Sequence, residues 1–389
     1  MPRKAKAFIA GAYEHPTRLA TGKTLAQLHA EVAMGALRDA GLEKSDVDGY
    51  FCAGDAPGLG GLSMAEYLGL NLRHVDSTET GGSSYLVHVA HAVDAIAAGR
   101  CSVALITLAG RPRADGVSSL GARSYGASPD VGFEMPYGPT VVSLYAMAAM
   151  RHMHEYGTTP EQLAWVKVAA SQHAQHNPLA MLRNTVSVRD VVESPVVADP
   201  LHRLDCCVVS DGGGALVVVS PEIARTLGDR CVKVLGQGQT IKHLNGGSFD
   251  LTQTGAVQSG RAAFSEAGLA PADIDYVSIY DSFTITVLIT LEDLGFCEKG
   301  KGGQFVSDGN LISGVGKLPF NTDGGGLCNN HPGNRGGMTK VIEAVRQLRG
   351  EAHPAVQVPD CMLALAHGTG GTIGTRMGSA TLILGGNNA

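Results

Sequence analysis

Four short segments hold the residues best suited to chemistry on a carbonyl compound. His331 stands in Asn330-His331-Pro332-Gly333, and an imidazole at such a glycine-containing helix start is either a general acid or base or a structural histidine. Tyr280-Asp281-Ser282-Phe283 ends a strand-like run. Strand ends are where α/β folds build their sites, although a plain strand-to-helix turn reads the same way. Thr80-Gly81-Gly82-Ser83-Ser84 opens a helical pattern. Free N–H groups and a partial positive charge at a helix start suit a developing oxyanion. Ser83 is either an N-cap or a nucleophile, and a nucleophile needs a base and an orienting group beside it. The Gly-x-Ser-x-Gly elbow is absent, because Ser84 and Tyr85 follow Ser83. His367-Gly368-Thr369-Gly370-Gly371 follows another strand-like run and by itself reads as a tight turn.

Other motifs carry less. Gly22-Lys23-Thr24 lacks the glycine a phosphate loop needs five positions earlier, where Thr17 stands. No Gly-x-Gly-x-x-Gly follows a strand, so a dinucleotide site has little support. His152-x-His154 and Cys206-Cys207 are conceivable metal ligands, but surface imidazoles and buried thiols are the commoner case, so no metal site is assigned.

The elements that would position these residues come in two sets. Residues 36–48, Ala-Leu-Arg-Asp-Ala-Gly-Leu-Glu-Lys-Ser-Asp-Val-Asp, resemble residues 263–275, Ala-Phe-Ser-Glu-Ala-Gly-Leu-Ala-Pro-Ala-Asp-Ile-Asp, without a gap. Each copy reads as a helix end, a glycine C-cap, a turn with Asp and a strand, over 49–52 and 276–280. Each follows an apolar opening strand, over 7–11 and 232–236. Leu86, Val89, Ala90, Val93 and Ala97 then form one helical stripe, and Val341, Val345 and Leu348 the other. Buried strands follow over 102–108 and 362–366, with a return strand over 214–220. The reading is α/β: an N-terminal half at 1–110 and 200–230, a C-terminal half at 231–389, and an insertion at 111–199. With Gly121, Gly126 and Pro129 in its loops and helices starting near Thr140 and Thr159-Pro160, the insertion is too long for a plain connection and reads as a cap. Packed about a pseudo-twofold axis, the two halves would bring both helix starts to one cavity.

Composition bounds the function. Glycine is 52 of 389 residues, about twice the usual share, with no Gly-X-Y period, so tight turns and close backbone contacts are expected rather than collagen or disorder. The net charge is −6 with no long basic run, which argues against nucleic acid as the partner. No apolar run reaches the length of a membrane span, and the apolar start is cut short by Glu14, His15 and Pro16, too early for a secretory signal. Eight scattered cysteines without a Cys-x-x-Cys motif suggest a reduced, cytoplasmic protein.

Taken together, the chain resembles the thiolase superfamily, in the branch typified by the sterol-carrier-protein thiolases. The resemblance rests on Ala40-Gly41-Leu42, Leu204-Asp205-Cys206-Cys207 with Ser210-Asp211-Gly212, Tyr280-Asp281-Ser282-Phe283, Asn321-Thr322-Asp323-Gly324-Gly325-Gly326, His331-Pro332 and Gln347-Leu348-Arg349-Gly350-Glu351. It implies a duplicated thiolase fold, βαβαβαββ twice in five αβαβα layers with an inserted loop domain. It also implies a tight homodimer and acyl-coenzyme A thioesters of lipid or steroid metabolism as substrates, with coenzyme A entering only as part of the substrate and no covalently bound cofactor. The family nucleophile is missing: Gly82 occupies the position of its cysteine, with Ser83 next. Tyr280 and Ser282 replace the His and Cys of the branch's His-Asp-Cys-Phe motif, and residues 367–371 lack the cysteine of the other thiolases' Cys-x-Gly loop. What survives is an oxyanion-stabilising set: backbone near Gly82, Ser83, Gly370 and Gly371, the His331 ring and the Tyr280 hydroxyl, supported by Asp281 and Ser282. Such a set without a sulfur nucleophile suits aldol or retro-aldol chemistry on an acyl-coenzyme A. Steroid side-chain aldolases of this superfamily, which work with a small OB-fold partner, share that feature. Two alternatives stay open: an acyltransferase using Ser83, and a non-catalytic acyl-coenzyme A-binding scaffold.

Overall fold

The computed structural model describes residues 5–117, 131–243, 250–332, 336–374, 376–387 and 389. Gly121, Gly126, Pro129 and Gly333 lie outside them. The strands of the main sheet are β1 (Phe8–Glu14), β2 (Gly49–Phe51), β3 (His74–Asp76), β4 (Val103–Gly110), β5 (Gly212–Val219), β6 (Val232–Lys242), β7 (Tyr276–Ile279), β8 (Leu363–Gly371) and β9 (Met377–Gly385). The helices that matter here are α1 (Leu25–Ala40), α2 (Ser84–Ala97), α3 (Val141–Tyr156), α4 (Pro160–Ala174), α5 (Ala256–Ala267), α6 (Thr284–Asp293) and α7 (Gly337–Arg349).

Hydrogen bonding orders the strands β3-β2-β4-β5-β1-β6-β9-β8-β7. Read inward from either end, each half has its second, fourth, fifth and first strands in the same order. The third strand of the second half is reduced to a parallel bridge, Val277 to Phe320, on the outer side of β7. The halves join through a short antiparallel ladder, Phe8↔Lys233 and Ile9↔Val232. Both halves are βαβαβαββ, as the resemblance implies.

The repeat extends to individual bonds. Gly41 and Gly268 both end their helices in the left-handed region, at φ 70° and 63°. Asp48 accepts from Ser102 N–H and Val103 N–H, and Asp275 accepts from Met362 N–H and Leu363 N–H, at 2.8 to 2.9 Å. Each carboxylate thereby ties the second strand of its half to the start of the fourth. Asp39 accepts from Ala12 N–H at 2.9 Å as Glu266 accepts from Gln237 N–H at 3.0 Å. Gly11 and Gly236 let the first helix of each half rest on the strand backbone: a Cβ at either would strike the carbonyl oxygen of Ala36 or Ala263.

Five layers follow from the packing. α1 covers one half-sheet and α5 the other, while α2 and α7 touch strands of both halves and each other. Leu86, Val89, Ile106, Met338, Val341 and Leu382 share the apolar cluster of that central layer. In the insertion, α3 and α4 start at capping boxes on Thr140 and Thr159. Their buried faces join the core of the second half, where Tyr145 lies 4.5 Å from Phe283 between ring centroids. Among the described residues no helix is long and apolar enough to cross a membrane.

Two local readings need correction. His367–Gly371 is not a turn. It continues β8, paired with β9 as far as Gly371↔Met377. His331 is not at the helix start either: α7 begins at Gly337, and a short helical turn, Gly325–Cys328, precedes the loop that carries the imidazole. Glycine runs read equally as turns and as places where backbones press together, and here they are the latter.

Candidate active site

Tyr280 leaves the end of β7 with its N–H donating to His367 C=O at 2.9 Å. Its side chain turns to the His331 loop, and the hydroxyl lies 2.8 Å from His331 Nε2. The rings meet edge to face, with centroids 5.3 Å apart. Both residues are buried. Gly336, just before α7, packs against both: a Cβ there would sit 3.1 Å from His331 Cδ2 and 3.3 Å from Tyr280 Cε2.

The glycines explain how the elements approach so closely. A Cβ on Gly82 would strike the Thr369 carbonyl oxygen and stand 2.6 and 2.8 Å from Tyr280 Cε2 and Cζ. The Tyr280 ring fills the space a nucleophilic side chain at position 82 would need. Gly81, at φ 66°, lies against Gly370 and Gly371, and Gly337 lies against the Gly82 carbonyl. The starts of α2 and α7 and the end of β8 therefore converge on the Tyr280–His331 pair. Gly81 N–H is already taken by the Glu79 carboxylate at 2.7 Å. Ser83 is buried, and its hydroxyl donates to Thr80 C=O at 2.8 Å with Thr80 Oγ1 at 3.1 Å.

Asp281 and Ser282 stand behind this surface. The Asp281 carboxylate accepts from Gly326 N–H at 2.8 Å and Leu327 N–H at 3.1 Å, and it pairs with the buried Lys340 ammonium at 2.9 Å. Ser282 Oγ lies 3.0 Å from Thr286 Oγ1, and its C=O accepts from Cys207 N–H at 2.9 Å. Both hold the turn after β7 in place. Lys340, Ser210 and Asn330 were not singled out as functional side chains. Lys340 left one trace, a charged residue next to the apolar stripe of α7.

Burial, with the nearby Lys340 charge second, pushes His331 down to about 4. The imidazole is therefore neutral near neutral pH, and Nε2 can accept the Tyr280 proton. Burial opposes the Lys340 charge, but Asp281 and then Asp323 outweigh it and hold its pKa up. All eight thiols are pushed up by burial, for example Cys52 to about 11 and Cys361 to about 12. An activated cysteine needs the opposite shift.

Residues 238–386 match the family described as thiolase C-terminal domain-like. An acetyl-CoA acetyltransferase of Methanothermobacter thermautotrophicus is 36% identical over 353 residues, covering 89% of this chain and 91% of that protein. The chain belongs to the thiolase superfamily. Within it, a steroid side-chain-cleaving aldolase of Thermomonospora curvata is 36% identical over 346 residues, covering 85% of this chain and 87% of that protein. The solved structure of an Ltp2–ChsH2(DUF35) aldolase superposes with a TM-score of 0.88 at 34% identity, covering 98% of each chain. These relatives place the protein in the branch of the superfamily that includes the sterol-carrier-protein-like proteins. Among its thiolase-superfamily relatives, then, are both an acetyltransferase and carbon–carbon-cleaving enzymes.

Proposed function

We propose that this protein is a thiolase-like enzyme acting on coenzyme A thioesters, which makes or breaks a carbon–carbon bond in a β-hydroxyacyl-coenzyme A without an acyl-enzyme. The observation that carries the reading is the packing at Gly82: the nucleophile's place holds a tyrosine ring whose hydroxyl meets a neutral imidazole. In the cleavage direction Tyr280 Oη takes the proton of the β-hydroxyl while its own proton passes to His331 Nε2. The Cα–Cβ bond breaks, the β-carbon leaves as a ketone or aldehyde, and the electron pair moves onto the thioester as an enolate. The imidazolium returns its proton to Tyr280 Oη as Tyr280 gives its own to Cα. Backbone N–H groups near Gly82 and Gly370 supply further stabilisation. Removing one donor of this kind costs roughly 10²–10³ in rate.

The aldolase relatives make steroid side-chain thioesters the first substrates to try. The described part of the insertion, 131–199, is the part of the chain read as the cap over the acyl group. Among the described residues β3 is an edge strand of the sheet, and its exposed Val75 with exposed Leu59 and Leu62 nearby in sequence favours a homodimer through that edge. A small OB-fold partner fits the two-protein aldolase named above. Eight free thiols suit the cytoplasm.

The test supplies β-hydroxyacyl-coenzyme A thioesters to the protein alone and together with any protein that co-purifies with it. Release of a ketone or aldehyde with the shortened thioester is expected, falling at least 100-fold in Tyr280→Phe and His331→Ala. Intact mass after incubation with acetyl-coenzyme A should show no adduct. An adduct on Ser83 or a cysteine would instead make the protein an acyltransferase, and turnover unchanged in both variants would leave it a scaffold.

A further inference from the structure

The imidazole of His331 is held by more than Tyr280. Its backbone N–H donates to Ser210 Oγ at 2.9 Å, and Ser210 Oγ lies 2.6 Å from Asn330 Oδ1. Asn330 Nδ2 donates to Glu14 Oε1 at 3.0 Å. Arg18 reaches the same Glu14 oxygen at 2.7 Å, and Arg346 reaches the other at 3.1 Å. Glu14, Ser210 and Asn330 are 5% exposed or less. Glu14 ends β1 and Ser210 precedes β5, both in the first half, while Asn330 and His331 belong to the second.

We infer that Glu14, Asn330 and Ser210 are positioning residues that set the His331 imidazole against Tyr280, through a hydrogen-bond chain that can run in only one direction. The inference rests on reading Tyr280 and His331 as the reacting pair. The direction follows from the chemistry of each group. Burial alone would raise the Glu14 carboxyl, but Arg346 and Arg18 outweigh it and keep it an anion, an acceptor only. Asn330 must turn its NH₂ to that anion and its carbonyl oxygen to Ser210. Ser210 has a single proton, which goes to Asn330, so its oxygen is left to accept from His331 N–H. A buried anion thus fixes an amide, the amide fixes a hydroxyl, and the hydroxyl fixes the backbone that carries the imidazole. Asn329 braces the same loop through Arg18 at 2.8 Å and Asp323 at 2.9 Å.

Asn330→Asp keeps the size but puts a second acceptor against Glu14. Ser210→Ala removes the link, and Ser210→Thr keeps the hydroxyl. Two quantities are measured: steady-state cleavage of a β-hydroxyacyl-coenzyme A, and the ring resonances of ¹⁵N-histidine-labelled protein, with His331→Gln identifying the His331 peaks. A misplaced group costs on the order of 100-fold. The expectation is therefore a kcat lowered about 10- to 100-fold in Ser210→Ala and Asn330→Asp, with KM changed less than about threefold. The His331 Nε2 resonance should move towards that of an imidazole without its tyrosine donor, and Ser210→Thr should restore both. Native kcat and an unmoved His331 resonance in folded Ser210→Ala would overturn the inference, as would Ser210→Thr behaving like Ser210→Ala. If the reading of the reacting pair fails instead, Tyr280→Phe keeps its activity while the His331 resonance still responds to Ser210→Ala.

Discussion

At the scale of single residues, the glycine at 82 is inseparable from the tyrosine at 280. A side chain at 82 and the Tyr280 ring claim the same volume. Placing a sulfur at 82 by itself should therefore give no working nucleophile. Gly82→Cys is expected to lose roughly 1–3 kcal/mol of stability through overpacking and to gain no acyl adduct from acetyl-coenzyme A. In Gly82→Cys with Tyr280→Ala the ring is gone, although the Thr369 carbonyl oxygen still crowds the new Cβ, and the thiol should be alkylated by iodoacetamide faster than in the single variant. Intact mass and thermal unfolding read both results. A stably folded Gly82→Cys that is acylated would refute the steric account.

Among the elements, the two halves repeat the same physical solutions. Gly11 and Gly236 each let a helix lie directly on strand backbone, and Asp48 and Asp275 each clamp two strand N–H groups. Because the contacts are equivalent, the penalties should be. Gly11→Ala and Gly236→Ala should each cost about 1–3 kcal/mol in urea unfolding, through the clash with Ala36 or Ala263. Costs that differ by more than about 2 kcal/mol would show that the halves do not share this packing. The repeat was legible because helix C-caps, Asp turns and strands are local. The reduced third strand of the second half was not, since a single bridge at Phe320 leaves no periodic pattern.

For the whole molecule, folding takes four imidazoles out of water, with His88 against Thr78 and Tyr85, His173 against Ser313 and His367 against Thr381. His88, His173 and His331 are pushed down to about 4 and His367 to about 3, chiefly by burial. Their unfolded value is near 6.5, so between pH 6.5 and about 4 the unfolded chain binds protons that the folded chain does not. Their contribution is complete above pH 6.5 and is lost as the pH falls through that window. Glu343, raised to about 7 by burial, acts in the opposite sense, as do His91, Asp205 and Asp293, which are also raised, while Glu14, Asp76 and Glu292 are held low and add to the loss in acid. The Tm, followed by the fluorescence of Trp165, should therefore drop by several degrees between pH 6.5 and 4.5. A flat Tm over that range would show that these imidazoles are hydrated.

The order of residues along the chain was enough for the duplication, the α/β class, the helix starts at Thr140 and Thr159 and the absence of cysteine at position 82, because each is written in spacing over a few turns of chain. It also pointed to Tyr280 and His331 separately. Their meeting across 51 residues, at 2.8 Å, needed the tertiary structure. So did the Glu14–Asn330–Ser210 chain, which joins groups more than a hundred residues apart. Such contacts arise when the two halves of one sheet close over a shared helix layer, and no local propensity records which polar groups that closure leaves facing each other. The same holds for the glycines: a glycine's freedom is visible in sequence, but whether it makes a turn or admits a neighbouring backbone depends on what packs against it.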